Sequence, residues 1–249
     1  MQTHGICTLG LSTQERDYWH SVRSDLKLFG PAHLLILVLI PLVAGGLALM
    51  CRRSGSAARF IRFGLAGSLA LIELIWYLYV LRVEGFHFPN GLALDLCDVT
   101  LWVAVLAVFT LKPWACEIVY YTGLAGSGMA LLTPDLWTPG WSYPIVSFFL
   151  AHGITVVTVL TLVWGKLAAP RPGSVWRVLG IVNVYAVVVG LFDAIFKTNY
   201  MYLRQKPAGA SLLDYFGPWP IYLLGGELIA LALFWLLWLP FRNSVVRPA

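Results

Sequence analysis

Seven apolar runs recur along the chain at about 31–51, 61–81, 92–111, 114–132, 143–165, 176–196 and 218–240, each close to the roughly 20 residues that a helix needs to cross a bilayer. Short connections separate them, and two of these, KPW and TPDLWTPGWSYP, carry the Pro and aromatic residues of tight turns at a membrane surface. The pattern predicts an all-α polytopic membrane protein with seven transmembrane helices. One membrane domain over 1–249 is expected: an N-terminal interfacial segment over 1–30, a seven-helix bundle over 31–240, and within it an outer loop or lid over 197–217. No connection is long enough for a second domain, and no internal repeat is visible.

Composition agrees with that pattern. Of 249 residues 59% are hydrophobic and 12% charged, with a mean hydropathy of +0.77, whereas about a quarter of a soluble domain is charged. The net charge of +5 comes from Lys and Arg in short loops, which reads as topology signal and lipid-headgroup contact. No basic stripe with interleaved aromatics accompanies it, so no nucleic-acid partner is expected. Residues 1–30 are polar and mixed in charge, unlike a removable signal peptide, and LSTQERDYWHSVRSDLKLF is expected to lie at the interface as an anchor. Cys7, Cys51, Cys97 and Cys116 show no CxxC or metal-type spacing, so neither a disulfide framework nor a metal site is expected, and no cofactor. Counted on alternate sides of seven spans, the 17 Lys and Arg divide ten to seven. The positive-inside rule then places the N-terminus outside and the C-terminus in the cytoplasm.

Polar residues inside the runs carry the candidate chemistry, because an ionisable group in a span costs at least a few kcal/mol and is kept facing a cavity, a partner or a substrate path. LALDLCDVT, residues 92–100, brings Asp95, Cys97 and Asp98 into the opening turns of the third run. At a rise of about 1.5 Å per residue, Cys97 lies roughly 8 Å and His152 roughly 13 Å from the outer ends of their runs. Asp193, His33, Glu73 and Glu227 also fall in the outer half, while Glu117 stands near the inner end of the fourth run. Six of seven helices thus bring a titratable group to one side, which predicts an outward-facing polar chamber.

In that chamber Cys97 is the natural nucleophile and His152 the natural base, with Asp98 or Asp193 as the carboxylate that orients the imidazole, an arrangement suited to acyl transfer through a thioester. Helical geometry complicates it. At about 100° per residue, Asp95 and Asp98 lie roughly 60° apart, whereas Cys97 is about 160° from Asp95. Either the first turn is irregular, or the site uses the carboxylate face and Cys97 is packing. The loop KTNYMYLRQKPAGASLLDYFGPWP is dense in donors, and Lys197, Asn199, Tyr200, Arg204 and Lys206 suit a phosphate headgroup clamp. The same loop reads equally as a solvated surface connection, and Asp193 with Lys197 as a plain i,i+4 ion pair. His33, Glu73, Asp95, Asp193 and Glu227 complete the candidate substrate-binding set.

FGPAHLLIL, LALDLCD, FLAHG and TNYMYLRQKPAGASLLDYFGPWPIY together resemble the YwaF-like family of bacterial integral membrane proteins, over nearly the whole chain. That family resembles in turn a eukaryotic transmembrane group that includes a cysteine-centred acyltransferase of ether phospholipids. The resemblance implies a seven-helix fold in a bacterial plasma membrane and, through the more distant link, acyl transfer between phospholipid and lysophospholipid with Cys97 as nucleophile and His152 as base. Ala93 and Asp95 stand where the family pattern has Pro and His. The competing expectation is a non-enzymatic transporter or small-molecule binder using Glu73, Asp95, Asp193 and Glu227 for protons or a cation. Against it, no inverted repeat and no paired Gly/Pro-broken helices are visible.

Overall fold

The computed structural model describes residues 28–83, 85–134, 141–207 and 212–243. The expected interfacial anchor, up to residue 27, lies outside them, as does Cys7. Pro31 opens α1 (Pro31–Arg53) at the first helical position, where its missing N–H costs nothing. The chain leaves the helix at Ser54 in an extended conformation and turns straight into α2 (Gly55–Val83). After α3 (Leu96–Thr110), Leu111 takes a left-handed φ of 50° and ends the helix, and Pro113 starts α4 (Pro113–Thr122). A π turn over Gly123–Ser127 joins α4 to α5 (Gly128–Leu132), so 113–132 forms one helical rod. Then follow α6 (Tyr143–Trp164), α7 (Ser174–Phe196) and α8 (Ile221–Trp238), with 3₁₀ turns at Tyr200–Tyr202, Leu212–Phe216 and Leu239–Phe241. No strand occurs among the described residues, in line with the all-α expectation.

Among the described residues five helices are long and apolar enough to cross a membrane: α1, α2, α6, α7, and α8 extended to Phe241. The expected seven are therefore met by five, and the two shortfalls have separate reasons. The third run is helical only from Leu96, because Asp95 leaves the helix with ψ 147°. The fourth run is one continuous rod, but its π turn leaves α-helical stretches of only 10 and 5 residues on either side.

The packing centres on α6, of whose most apolar stretch 72% is buried, against 17–22% in the other four spans. Gly123 in the π turn lets the rod approach α6 closely, since a Cβ there would stand 3.0 Å from Val159 Cγ2 and 3.4 Å from Thr155 Cγ2. Around it Leu69, Leu101, Ala104, Ala107, Val119, Val159 and Val178 form the main core.

Arginines close one end of the bundle. Arg62 donates from Nε to the Val108 carbonyl at 2.6 Å and from Nη2 to that of Phe109 at 2.8 Å, and Arg52 Nε donates to the Trp164 carbonyl at 2.6 Å. These are carbonyls of the last turns of α3 and α6, which have no partner within their own helices. At the same end Glu117, 2% exposed, accepts hydrogen bonds from both Arg171 and Arg177, with closest contacts of 2.8 and 2.9 Å. The Arg171 backbone N–H adds a third grip at 3.1 Å. Charge-assisted pairing of this kind is the strong form of the hydrogen bond. Hydrogen bonding to Glu117 holds the Arg171 guanidinium above its ordinary range, so it stays charged.

Candidate functional site

Asp95 is the N-cap of α3, with φ −70° and ψ 147°, and Cys97 is the second helical residue. Cys97 thus lies about 1.5 Å along the axis from the first helical residue, not the roughly 8 Å expected from the longer run. The angular conflict disappears with it, because Asp95 stands outside the helix and its side chain is not bound to the 100° step. An Asp at this position ordinarily accepts a hydrogen bond from its own first turn. Here no such bond forms, and Asp95 Oδ1 instead accepts the Met201 N–H at 2.9 Å.

The thiol of Cys97 is partly buried, 3.9 Å from Asp98 Oδ1. Asp98, 8% exposed, acts electrostatically on both Cys97 and His152. His152 is buried on α6, and its Nδ1 lies 2.8 Å from the Phe148 carbonyl one turn back. A carbonyl can only accept, so that contact puts the proton on Nδ1 and leaves Nε2 as the acceptor. A backbone carbonyl, and not the expected carboxylate, therefore fixes the imidazole. The Phe148 ring packs on it, centroid to centroid at 4.3 Å. Glu73, buried on α2, also lies in electrostatic range of the thiol and hydrogen-bonds Tyr77, whose hydroxyl accepts from Trp102 Nε1 at 3.2 Å.

The loop after α7 turns its polar groups inward. Asp193, with no exposed surface, accepts the Thr198 hydroxyl at 2.5 Å and the Tyr200 N–H at 3.0 Å on one oxygen. Among the described residues it forms no ion pair with Lys197, which is exposed. Tyr200 is fully buried, donating to the Pro89 carbonyl at 2.9 Å and accepting the Leu92 N–H at 3.2 Å. Burial pushes its hydroxyl up to about 12, so it remains a neutral donor across the physiological range. Asn199 accepts from the Arg204 and Gln205 N–H groups, and Arg204 Nη1 donates to the carbonyls of Asp193 and Thr198. Lys206 sits 3.8 Å from Asp214 and over the Tyr222 ring. Of the five residues expected to clamp a headgroup, Asn199, Tyr200 and Arg204 thus hold the loop itself together.

Two further expected members stand apart. His33 is fully buried at the start of α1, accepting the Phe29 N–H at 3.0 Å and donating from Nε2 to the Leu131 carbonyl at 2.7 Å, which staples α1 to the end of α5. Glu227 pairs across α7 and α8 with Asn183 Nδ2 at 2.7 Å. Sequence reasoning missed Tyr77, Trp102 and Tyr185, aromatic residues inside apolar runs that carry no charge of their own. Tyr185 donates to the Leu94 carbonyl at 2.7 Å, just ahead of Cys97. Among the described residues no group of three or more His, Cys, Asp or Glu is arranged to hold a metal ion.

No curated protein and no solved structure matches this chain. A family model, that of the TMEM164 family, matches residues 28–238, a stretch that takes in α1 through α8, the Cys97 turn and the loop after α7. The match supports a membrane family of this type and does not extend to the YwaF-like, bacterial part of the resemblance drawn from the motifs. The chain belongs to the TMEM164 family.

Proposed function

We propose that this membrane protein is a cysteine-dependent phospholipid acyltransferase that moves an acyl chain between a phospholipid and a lysophospholipid. In this reading the bundle crosses the membrane seven times, with α3 and the 113–132 rod as the two further passages, and the N-terminus lies outside. The observation that carries the chemistry is the Cys97 thiol in the first turn of α3, with Asp98 at 3.9 Å and in electrostatic range of a His152 whose tautomer is set by Phe148.

Nε2 of His152 takes the thiol proton as Cys97 Sγ attacks the ester carbonyl of the donor phospholipid. A carboxylate in range stabilises the imidazolium that forms. The ester C–O bond breaks, the proton passes to the departing oxygen, and a lysophospholipid leaves behind an S-acyl Cys97. In the return step the acceptor's hydroxyl gives its proton to Nε2 and attacks the thioester carbonyl. The C–S bond then breaks and the thiol is restored. Lys197 and Lys206, on the loop after α7, are the cations a phosphate headgroup would meet.

Acyl exchange between phospholipid and lysophospholipid by the purified, reconstituted protein tests this, and Cys97→Ala is expected to abolish it. Unchanged exchange in that variant would remove Cys97 as nucleophile. A second reading, a transporter or binder of protons or cations, draws on Asp193 Oδ2, which is buried without a hydrogen-bond partner among the described residues. Proton-coupled uptake lost in Glu73→Gln or Glu227→Gln, with Cys97 dispensable, would favour it.

A further inference from the structure

Two consecutive backbone N–H groups of one turn point into two buried carboxylates from different parts of the fold. Tyr200 N–H is held by Asp193 of α7 at 3.0 Å, and Met201 N–H by Asp95, the N-cap of α3, at 2.9 Å. The turn between them is strained: Met201 and Tyr202 have φ of 54° and 56°, in the left-handed region that non-glycine residues occupy only where their surroundings over-determine it. Its far side is tied to α8 and the approach to it, by the Tyr222 hydroxyl on the Tyr202 carbonyl and Trp219 Nε1 on the Leu203 carbonyl. Its near side grips the chain that leads into α3, through the Tyr200 hydroxyl at Pro89 and Leu92. Cys97 follows Asp95 by two residues.

We propose that Asp95 and Asp193 are positioning residues, which latch the Tyr200–Tyr202 turn against the entrance of α3 and so fix the first turn that carries Cys97. The diverted N-cap is the telling feature. An Asp that served α3 alone would bond its own first turn, whereas this one reaches a loop more than a hundred residues away. The latch needs only an oxygen that accepts an N–H, so an amide serves as well as a carboxylate. A role in binding a cation or a proton needs the charge. Asp95→Asn separates the two. The importance of the latch for catalysis rests on the acyltransferase reading, but the latch itself does not.

The test uses the full chain in lipid nanodiscs. Hydrogen–deuterium exchange is read at residue resolution, together with the rate at which a lipid-tailed maleimide labels Cys97; neither readout requires turnover. In the wild type the Tyr200 and Met201 amides are expected to be protected. In Asp95→Ala, Met201 exchange and Cys97 labelling are expected to rise about tenfold, as loss of one buried hydrogen bond implies. In Asp95→Asn both should stay within about twofold of the wild type, because the acceptor is retained. A wild-type Met201 amide that exchanges like an open peptide overturns the latch even if Asp95→Ala does not fold. So does an Asp95→Asn that behaves like Asp95→Ala, which would assign Asp95 to charge. Loss of exchange activity in Cys97→Ala with an unprotected Met201 would leave the enzyme reading intact and discard the latch. Protection of Met201 with Cys97→Ala fully active would do the reverse.

Discussion

The two ends of the bundle both bury carboxylates, and they use them in opposite ways. At one end Glu117 is surrounded by guanidinium groups, and neighbouring arginines close the last turns of α3 and α6. At the other, Asp95 and Asp193 accept backbone N–H and hydroxyl groups from a single loop, beside a thiol, a histidine and a third carboxylate, Asp98. A carboxylate held by two guanidiniums has no capacity left for a substrate and serves to join α4 to α7. Asp95 and Asp193 instead hold a strained loop beside Cys97, which in the proposed reading keeps the nucleophile's surroundings in place. The first end is built for cohesion, and the second carries the chemistry in the proposed reading.

Substitutions that separate activity from stability test this division. The largest effect is expected from Cys97→Ala, which should lower acyl exchange by about three orders of magnitude, the scale on which a covalent nucleophile acts. His152→Gln should follow, with exchange down about a hundredfold as for a general base, and an unfolding midpoint near that of the wild type. A His152→Gln variant that turned over normally would place His152 outside the chemistry. At the opposite end Glu117→Ala should cost about 2 kcal/mol, less than for a fully buried pair because its arginines reach solvent. Thermal unfolding in detergent measures it, and the protein that remains folded should keep its exchange rate per molecule. Smallest is Arg62→Ala, where loss of the bonds to Val108 and Phe109 should cost about 1 kcal/mol, with exchange again unchanged. Activity that tracked Glu117 or Arg62 more closely than Cys97 would dissolve the contrast.

Much of the bundle was legible from apolar runs alone, since α1, α2, α6, α7 and α8 fall where the pattern places them. The start of α3 was not, because Leu92–Ala93–Leu94 continues an apolar pattern in which nothing marks Asp95 as the N-cap or its bond to a loop distant in sequence. The Glu117 clamp was equally hidden. Glu117 stood out as the one carboxylate on the wrong side, but its partners lie 54 and 60 residues away and count in the sequence only as topology charges. In the loop after α7 the residue types were read correctly as donors and their direction was not, for Asn199, Tyr200 and Arg204 spend their hydrogen bonds inside the protein. Cys97, Asp98 and His152 were singled out as candidates from their chemistry, and the structure adds what the sequence could not supply, namely the His152 tautomer set by the Phe148 carbonyl.

The central claim is that Cys97 carries the acyl group. Incubation of the reconstituted protein with a phospholipid donor and no acceptor, followed by acid quench and mass spectrometry of the peptide containing Cys97, examines it directly. An acyl adduct on Cys97 that hydroxylamine removes, and that disappears on adding lysophospholipid, is the predicted result. Transfer that proceeds with Cys97 unmodified, or undiminished in Cys97→Ala, would contradict it.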